Sequence, residues 1–175
     1  MSLSEQLIYC TTKITSVLDE NKIATGTGFF MKLKLNGKDI NLLWTCHHVI
    51  SNDDIKNRLT VNLYYGEKEN EIEKKITLDK KKRFIRTFKD EDVTLVEIIE
   101  EDDIPEDKYL NPDLNYEQGY NLYLDDSFYL AGYPKKFGER CASAGRITKI
   151  TDLNCEHNLD AYVISSGSPI CNYKV

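Results

Sequence analysis

TGTGFFMKLKL (residues 25–35), Asn36-Gly37 and KDINLLWTC (38–46) read as two strands joined by a two-residue turn. Asn-Gly between two apolar-rich runs is the strongest short-range hairpin signal, and the glycines at 26 and 28 suit a tight, bent strand entry. Upstream, QLIYCTTKITSVL (6–18) is rich in β-branched and aromatic residues and reads as a strand. Downstream, TVNLYY (60–65) and EIEKKITL (71–78) form a second expected hairpin around Gly66. Residues 83–88 and DVTLVEII (92–99) supply two more strands. Helical periodicity is weak throughout, and the best short helix candidate is HVISNDDIKN (48–57).

The chain changes character over residues 100–126, where EEDDIPED and a polar, Asn- and Tyr-containing run read as a long connection. Beyond it, SFYLAGYP (127–134), SAGRITKITDL (143–153) and an apolar run around 161–173 read as strands again. The expectation is an all-β chain: a first β unit over 1–100, a connection over 101–126 and a second β unit over 127–175.

With 175 residues, 41% hydrophobic and 30% charged, the composition fits one globular domain. Acids outnumber bases 29 to 23, a net charge of −6 that argues against general nucleic-acid binding. The basic stretch KKKRFIR (80–86) has acidic neighbours and reads as a solvated face. No apolar run reaches the ~18 residues needed to span a membrane, and MSLSEQLIYC lacks the layout of a secretory signal. The cysteines (Cys10, Cys46, Cys141, Cys155, Cys171) are odd in number and form no C-x-x-C pair. Free thiols in a reducing, intracellular compartment are therefore expected. The 11 tyrosines are expected mainly in β cores and at strand edges.

Three stretches carry possible chemistry: TCHHVI (45–50), DVTLV (92–96) and SSGSPI (165–170). A serine is a weak nucleophile alone. It needs a general base within hydrogen-bond reach, and the base needs a carboxylate to hold its tautomer. His48, Asp92 and Ser166 occur in that order, 44 and 74 residues apart, which suits a crevice between two β units.

In order and spacing these motifs resemble those of the trypsin-like, chymotrypsin-fold serine peptidases, most nearly the glutamyl-endopeptidase-like and related intracellular domains. GTGFF resembles the G-[ST]-G-F strand, TCHHV resembles T-[AN]-x-H-V, and DVTLV resembles D-[IV]-[AT]-L. LAGYPKKFGERCASAGRIT resembles G-Y-P followed by S-x-G-x-I, and SSGSPI resembles G-x-S-G-S-P; the likeness runs from about residue 8 to 173. It implies two six-stranded barrels and peptide-bond hydrolysis. His48 rather than His47 would be the base, Asp92 rather than Asp90 the orienting acid, and Ser166 the nucleophile. Backbone N–H groups of Ile164 and Ser166 would form the oxyanion hole. Asp160, six residues before Ser166, stands where a selector of basic residues sits, and His157 is a nearby candidate for contact with an acidic group. The implied partner is a protein or peptide substrate. No cofactor is needed, and the three histidines show no metal-ligand spacing.

The chain departs from the family pattern in three places. Ile164 stands where the family has Gly, and a β-branched residue resists the backbone shape of the oxyanion loop. Ser165 replaces the Asp that pairs with a freshly cut N-terminus in secreted trypsins. Nine residues follow Ser166, so the second barrel is expected to be incomplete, with an open edge for a protein partner. Two other readings follow: a catalytically impaired binding or scaffold module, and a peptidase whose second barrel is completed by a partner.

Overall fold

The computed structural model describes residues 7, 9–19, 22–35, 37–115, 119–134, 139–151, 154–160 and 166–172. The central hairpin forms as expected. Strand β2 (Lys22–Leu35) pairs antiparallel with β3 (Lys38–Thr45), from Gly28 opposite Thr45 to Leu35 opposite Lys38. Gly37 takes φ +77°, the left-handed conformation that a two-residue hairpin turn demands. On its other side β2 pairs with β1 (Thr11–Asp19). Strand β1 starts later than the sequence suggests, because residues 7, 9 and 10 are helical.

The sheet grows outward from this hairpin. Strands β4 (Thr60–Tyr65) and β5 (Ile72–Thr77) extend it beyond β1. Strands β7 (Val93–Glu97) and β6 (Ile85–Phe88) extend it beyond β3. The order is β5-β4-β1-β2-β3-β7-β6. In β4 every second residue is buried (Val61, Leu63, Tyr65), the period of a strand with one face on a core. Both edges feed the same cluster: Ile76 from β5 and Ile85 from β6 join Ile14, Phe30, Leu43 and Val96. The seven-stranded sheet thus wraps around one core. It does not close into the expected six-stranded barrel, because β5 and β6 share no ladder.

The helix candidate becomes a short helix, α1 (Asn52–Lys56), started by a capping box between Ser51 and Asp54. The connection is built from 3-10 turns, including Glu100–Asp102 and Glu106–Lys108. It is pinned to the first sheet by a buried ion pair. Arg83 donates to both Asp102 oxygens (2.6 and 3.0 Å) and to the Glu97 carbonyl (2.8 Å). Arg83 is therefore the exception in a basic stretch expected to be wholly solvated: its side chain is 5% exposed. Leu110 then bonds in both directions to β2, through Lys32 N–H and the Phe30 carbonyl.

The second sheet has four strands in the order β10-β9-β8-β11. Strand β8 spans Ser127–Gly132, β9 Cys141–Ile150, β10 Cys155–His157 and β11 Ile170–Asn172. Strand β10 was not expected from the sequence. Most of the apolar run 161–173 lies outside the described residues, and β11 falls within its end. Among the described residues this sheet also does not close, and β10 and β11 are its edges. The all-β class holds: among the described residues strands dominate, and α1 is only five residues long. No helix among the described residues is long and apolar enough to cross a membrane.

Candidate active site

His48 sits on the tight turn that leaves β3. The N–H groups of Val49 and Ile50 both bond to the Cys46 carbonyl at 3.1 Å, and Val49 and Ile50 are buried beneath the turn. From β7, buried Thr94 Oγ1 donates to the Ile50 carbonyl at 2.8 Å. The histidine turn is thus fixed to the strand that Asp92 precedes. Asp92 has φ +54°, a left-handed conformation that Asp tolerates better than most residues. Its own carbonyl accepts from His47 N–H at 3.1 Å.

These constraints bring the imidazole and the carboxylate together. His48 Nδ1 lies 2.6 Å from Asp92 Oδ2, and the His48 backbone N–H donates to Oδ1 at 3.0 Å. With its proton on Nδ1 facing the carboxylate, the ring keeps Nε2 free as a proton acceptor. Burial alone would raise the Asp92 carboxyl. The backbone and ring hydrogen bonds from His48, its charge and a hydrogen bond from Cys46 outweigh burial and hold the carboxyl below its ordinary range. His47 instead faces Asn52, whose Nδ2 lies 3.5 Å from His47 Nε2, while Asp90 is exposed.

Ser166 reaches the same region from the second sheet. Its carbonyl accepts from Thr27 N–H at 3.0 Å. Gly167 follows with φ +87°, and a Cβ there would stand 2.1 Å from the Thr27 carbonyl oxygen and 2.8 Å from Thr45 Oγ1. Only glycine permits this approach. Next, Ser168 fills the space over Gly132, where an added Cβ would lie 2.2 Å from Ser168 Oγ. A cavity of about 200 Å³ separates the two halves, lined by Phe29, Trp44, Cys46, Asp92, Gly167 and Ser168 among others. A second, of about 230 Å³, lies between Phe29, Leu110 and β11.

Residues 26–174, which carry both the histidine–aspartate pair and the serine turn, match the trypsin-like peptidase domain. The chain belongs to the trypsin-like peptidase family. No curated protein sequence matches it significantly. Solved structures share its fold. The serine endoprotease from Yersinia pestis aligns with a TM-score of 0.67 at 13% identity, over 99% of this chain and 54% of that one. The active form of the Rv3671c protease from M. tuberculosis aligns at 0.61 and 18% identity, over 95% of this chain and 66% of that one. Deg5 aligns at 0.59 and 18% identity, over 99% of this chain and 82% of that one. This chain thus spans between half and two thirds of the length of the first two.

Other expected site residues of this trypsin-like peptidase domain are placed as follows. Ile164 lies outside the described residues. Asp160 is exposed, and its backbone N–H donates to Ser143 Oγ at 2.7 Å. His157 stands on edge strand β10, opposite Ile147. Neither lines the two cavities above.

Two residues at the site had no role in the sequence reading. Thr27, the threonine of GTGFF, is fully buried and joins four elements. Its N–H bonds Ser166, its carbonyl accepts from Thr45 Oγ1 (2.7 Å), and its Oγ1 accepts from Tyr133 N–H (3.1 Å). The motif signalled the residue but not this bridging. For Cys46 the sequence predicts a free thiol and nothing more. Burial, then the charge and hydrogen bond of Asp92, push that thiol up to about 11, although the Gly167 N–H directed at its sulfur pulls the other way. Cys46 is therefore a protonated donor rather than a thiolate nucleophile.

Proposed function

We propose that this domain is a serine endopeptidase that cleaves peptide bonds through an acyl-enzyme on Ser166. The observation that carries the reading is the 2.6 Å contact between His48 Nδ1 and Asp92 Oδ2, with Asp92 lining the same cavity as Gly167 and Ser168, the two residues that follow Ser166. In the first step Ser166 Oγ attacks the substrate carbonyl while His48 Nε2 takes its proton. His48 then returns that proton to the leaving amine. Asp92 holds the ring in the tautomer that permits both transfers and stabilises the imidazolium between them. Water repeats the sequence to release the acid product.

The oxyanion is assigned to the backbone N–H groups of Ser166 and Ile164, each such donor contributing roughly 10²–10³ in rate. For specificity the two candidates are alternatives, Asp160 for a basic residue before the cleaved bond or His157 for an acidic one; the exposure of Asp160 supports the third reading, a solvated loop acid with no selecting role. The edge of the four-stranded sheet that is open among the described residues is assigned to a protein partner. All five cysteines are free, which supports a reducing, intracellular setting.

A fluorophosphonate probe tests the mechanism. Wild type is expected to label, Ser166→Ala not at all, and His48→Ala much more slowly. Equal labelling of wild type and Ser166→Ala would overturn the assignment of the nucleophile. Absence of labelling in wild type, with a partner protein still bound, would favour the impaired binding module.

A further inference from the structure

Three ligand-type side chains meet at the proposed active site. Cys46 Sγ, a His48 ring nitrogen and an Asp92 carboxylate oxygen all lie within 4.8 Å of one another. The histidines showed no ligand spacing in the sequence, because this cluster is assembled by the turn after β3 and the turn before β7.

We propose that Cys46, His48 and Asp92 form a zinc-binding site that switches the peptidase off. The inhibitory consequence rests on the peptidase reading above; the binding does not. The donor set decides the metal. A thiolate and an imidazole suit Zn²⁺, whereas Mg²⁺ and Ca²⁺ seek oxygen ligands alone. Zinc takes sulfur at about 2.3 Å and nitrogen or carboxylate oxygen at about 2.0–2.2 Å, so the ligands of a tetrahedral site stand about 3.2–3.7 Å apart. Reaching that geometry requires the 2.6 Å His48–Asp92 contact to widen and the thiol to turn inward. The side chains of His48 and Asp92 are 56% and 44% exposed, which leaves them room to move and leaves one position open to water. The cavity of about 200 Å³, lined by Cys46 and Asp92, adjoins the cluster.

One ligand is already oriented by its surroundings. Asp92 Oδ1 is bonded to the His48 backbone N–H at 3.0 Å, which leaves Oδ2 for the ion. Gly167 lines the same cavity as Cys46 and Asp92. Although the free thiol is held protonated, a bound cation removes its proton. The balance is simple: one Zn²⁺ binds, Cys46 releases one proton to solvent, and nothing is oxidised. Nδ1 of His48 becomes a ligand and the ring proton moves to Nε2. An Nε2–H cannot accept the proton of Ser166, so the ion locks the base in the wrong tautomer.

Cobalt supplies the test, because a Co²⁺–thiolate bond gives a charge-transfer band in the near ultraviolet. The full-length Ser166→Ala chain, titrated with Co²⁺, is expected to show that band, to lose it when Zn²⁺ is added, and to release one proton per ion. The same chain carrying Cys46→Ala or Cys46→Ser is expected to lack the band, and His48→Ala or Asp92→Asn to weaken binding roughly tenfold or more. In wild type, Zn²⁺ is expected to suppress fluorophosphonate labelling and a chelator to restore it. A band that survives both Cys46 substitutions, or no band in the parent chain, overturns the site. If the band appears as expected while wild type never labels, the zinc site stands and the peptidase reading falls. If wild type labels equally with and without Zn²⁺ and no band forms, the peptidase reading stands and the zinc site falls.

Discussion

The two sheets bring the site residues together by different means. On the first sheet, His48 and Asp92 sit on turns anchored by buried Val49, Ile50 and Thr94, above a core cluster of fifteen buried residues. On the second, the described core cluster holds four buried residues: Phe128, Leu130, Ile147 and Leu159. Among the described residues, Ser166 is positioned by contact with the other sheet. Thr27 receives it, and Gly167 fits against the Thr27 carbonyl and Thr45. The base and the acid are therefore set by the folding of one sheet, whereas the serine is set by the docking of two. Damage to the first sheet should unfold the protein, while damage to the docking contacts should spoil geometry and leave the first sheet intact.

The largest expected effect tests the first half of that contrast. Phe30 is fully buried, with its ring 5.5 Å from Tyr65 and 5.8 Å from Tyr109 in edge-on packing. Phe30→Ala is expected to cost about 3–5 kcal/mol in denaturant unfolding. Phe128→Ala in the smaller cluster should cost clearly less. Equal losses would contradict the claim that the first sheet carries the stability. Next comes Gly167→Ala. An added Cβ 2.1 Å from a backbone oxygen must push the turn away, and the positive φ opposes the substitution as well. A displacement near 1 Å can cost about 10² in rate. Fluorophosphonate labelling is expected to fall by about that factor, while amide exchange in β1–β7 stays as in wild type. Loss of protection across β1–β7 would mean that the two halves are not separable in this way.

The same contrast explains what the sequence discloses. The hairpin is legible because Asn36-Gly37 fixes a two-residue turn between apolar runs, and the pairing of Leu35 with Lys38 bears this out. The meeting of His48 with Asp92 is expected because TCHHV and DVTLV resemble a known family's motifs in order and spacing, not because either strand encodes the contact. Strand β10 is short and half polar, Cys155-Glu156-His157, so it carries no periodic signal. The failure of the first sheet to close is equally silent, because closure depends on which edges pair and not on what any strand contains. Thr27 and Cys46 escaped for a related reason. Their partners lie across the sheet-to-sheet contact or across a turn, and no local pattern encodes such contacts.

The smallest effect concerns the hydroxyl of Thr27. Thr27→Val preserves shape and keeps the backbone N–H that bonds Ser166, but it leaves the buried Tyr133 N–H without Oγ1 as its acceptor. An unmade buried hydrogen bond costs about 1–3 kcal/mol. If the second sheet is held mainly by docking, that cost should appear there first. Amide exchange is expected to quicken at Tyr133 and at residues 166–168, with little change at the β2–β3 ladder. Labelling at Ser166 should slow by a factor smaller than for Gly167→Ala, because the turn keeps both its glycine and its backbone bond. Thr27→Ser restores the hydroxyl and should recover most of the loss. If Thr27→Ser stays as impaired as Thr27→Val, the methyl that serine lacks matters as much as the hydroxyl, and the hydrogen bond alone would not be the element that joins the two halves.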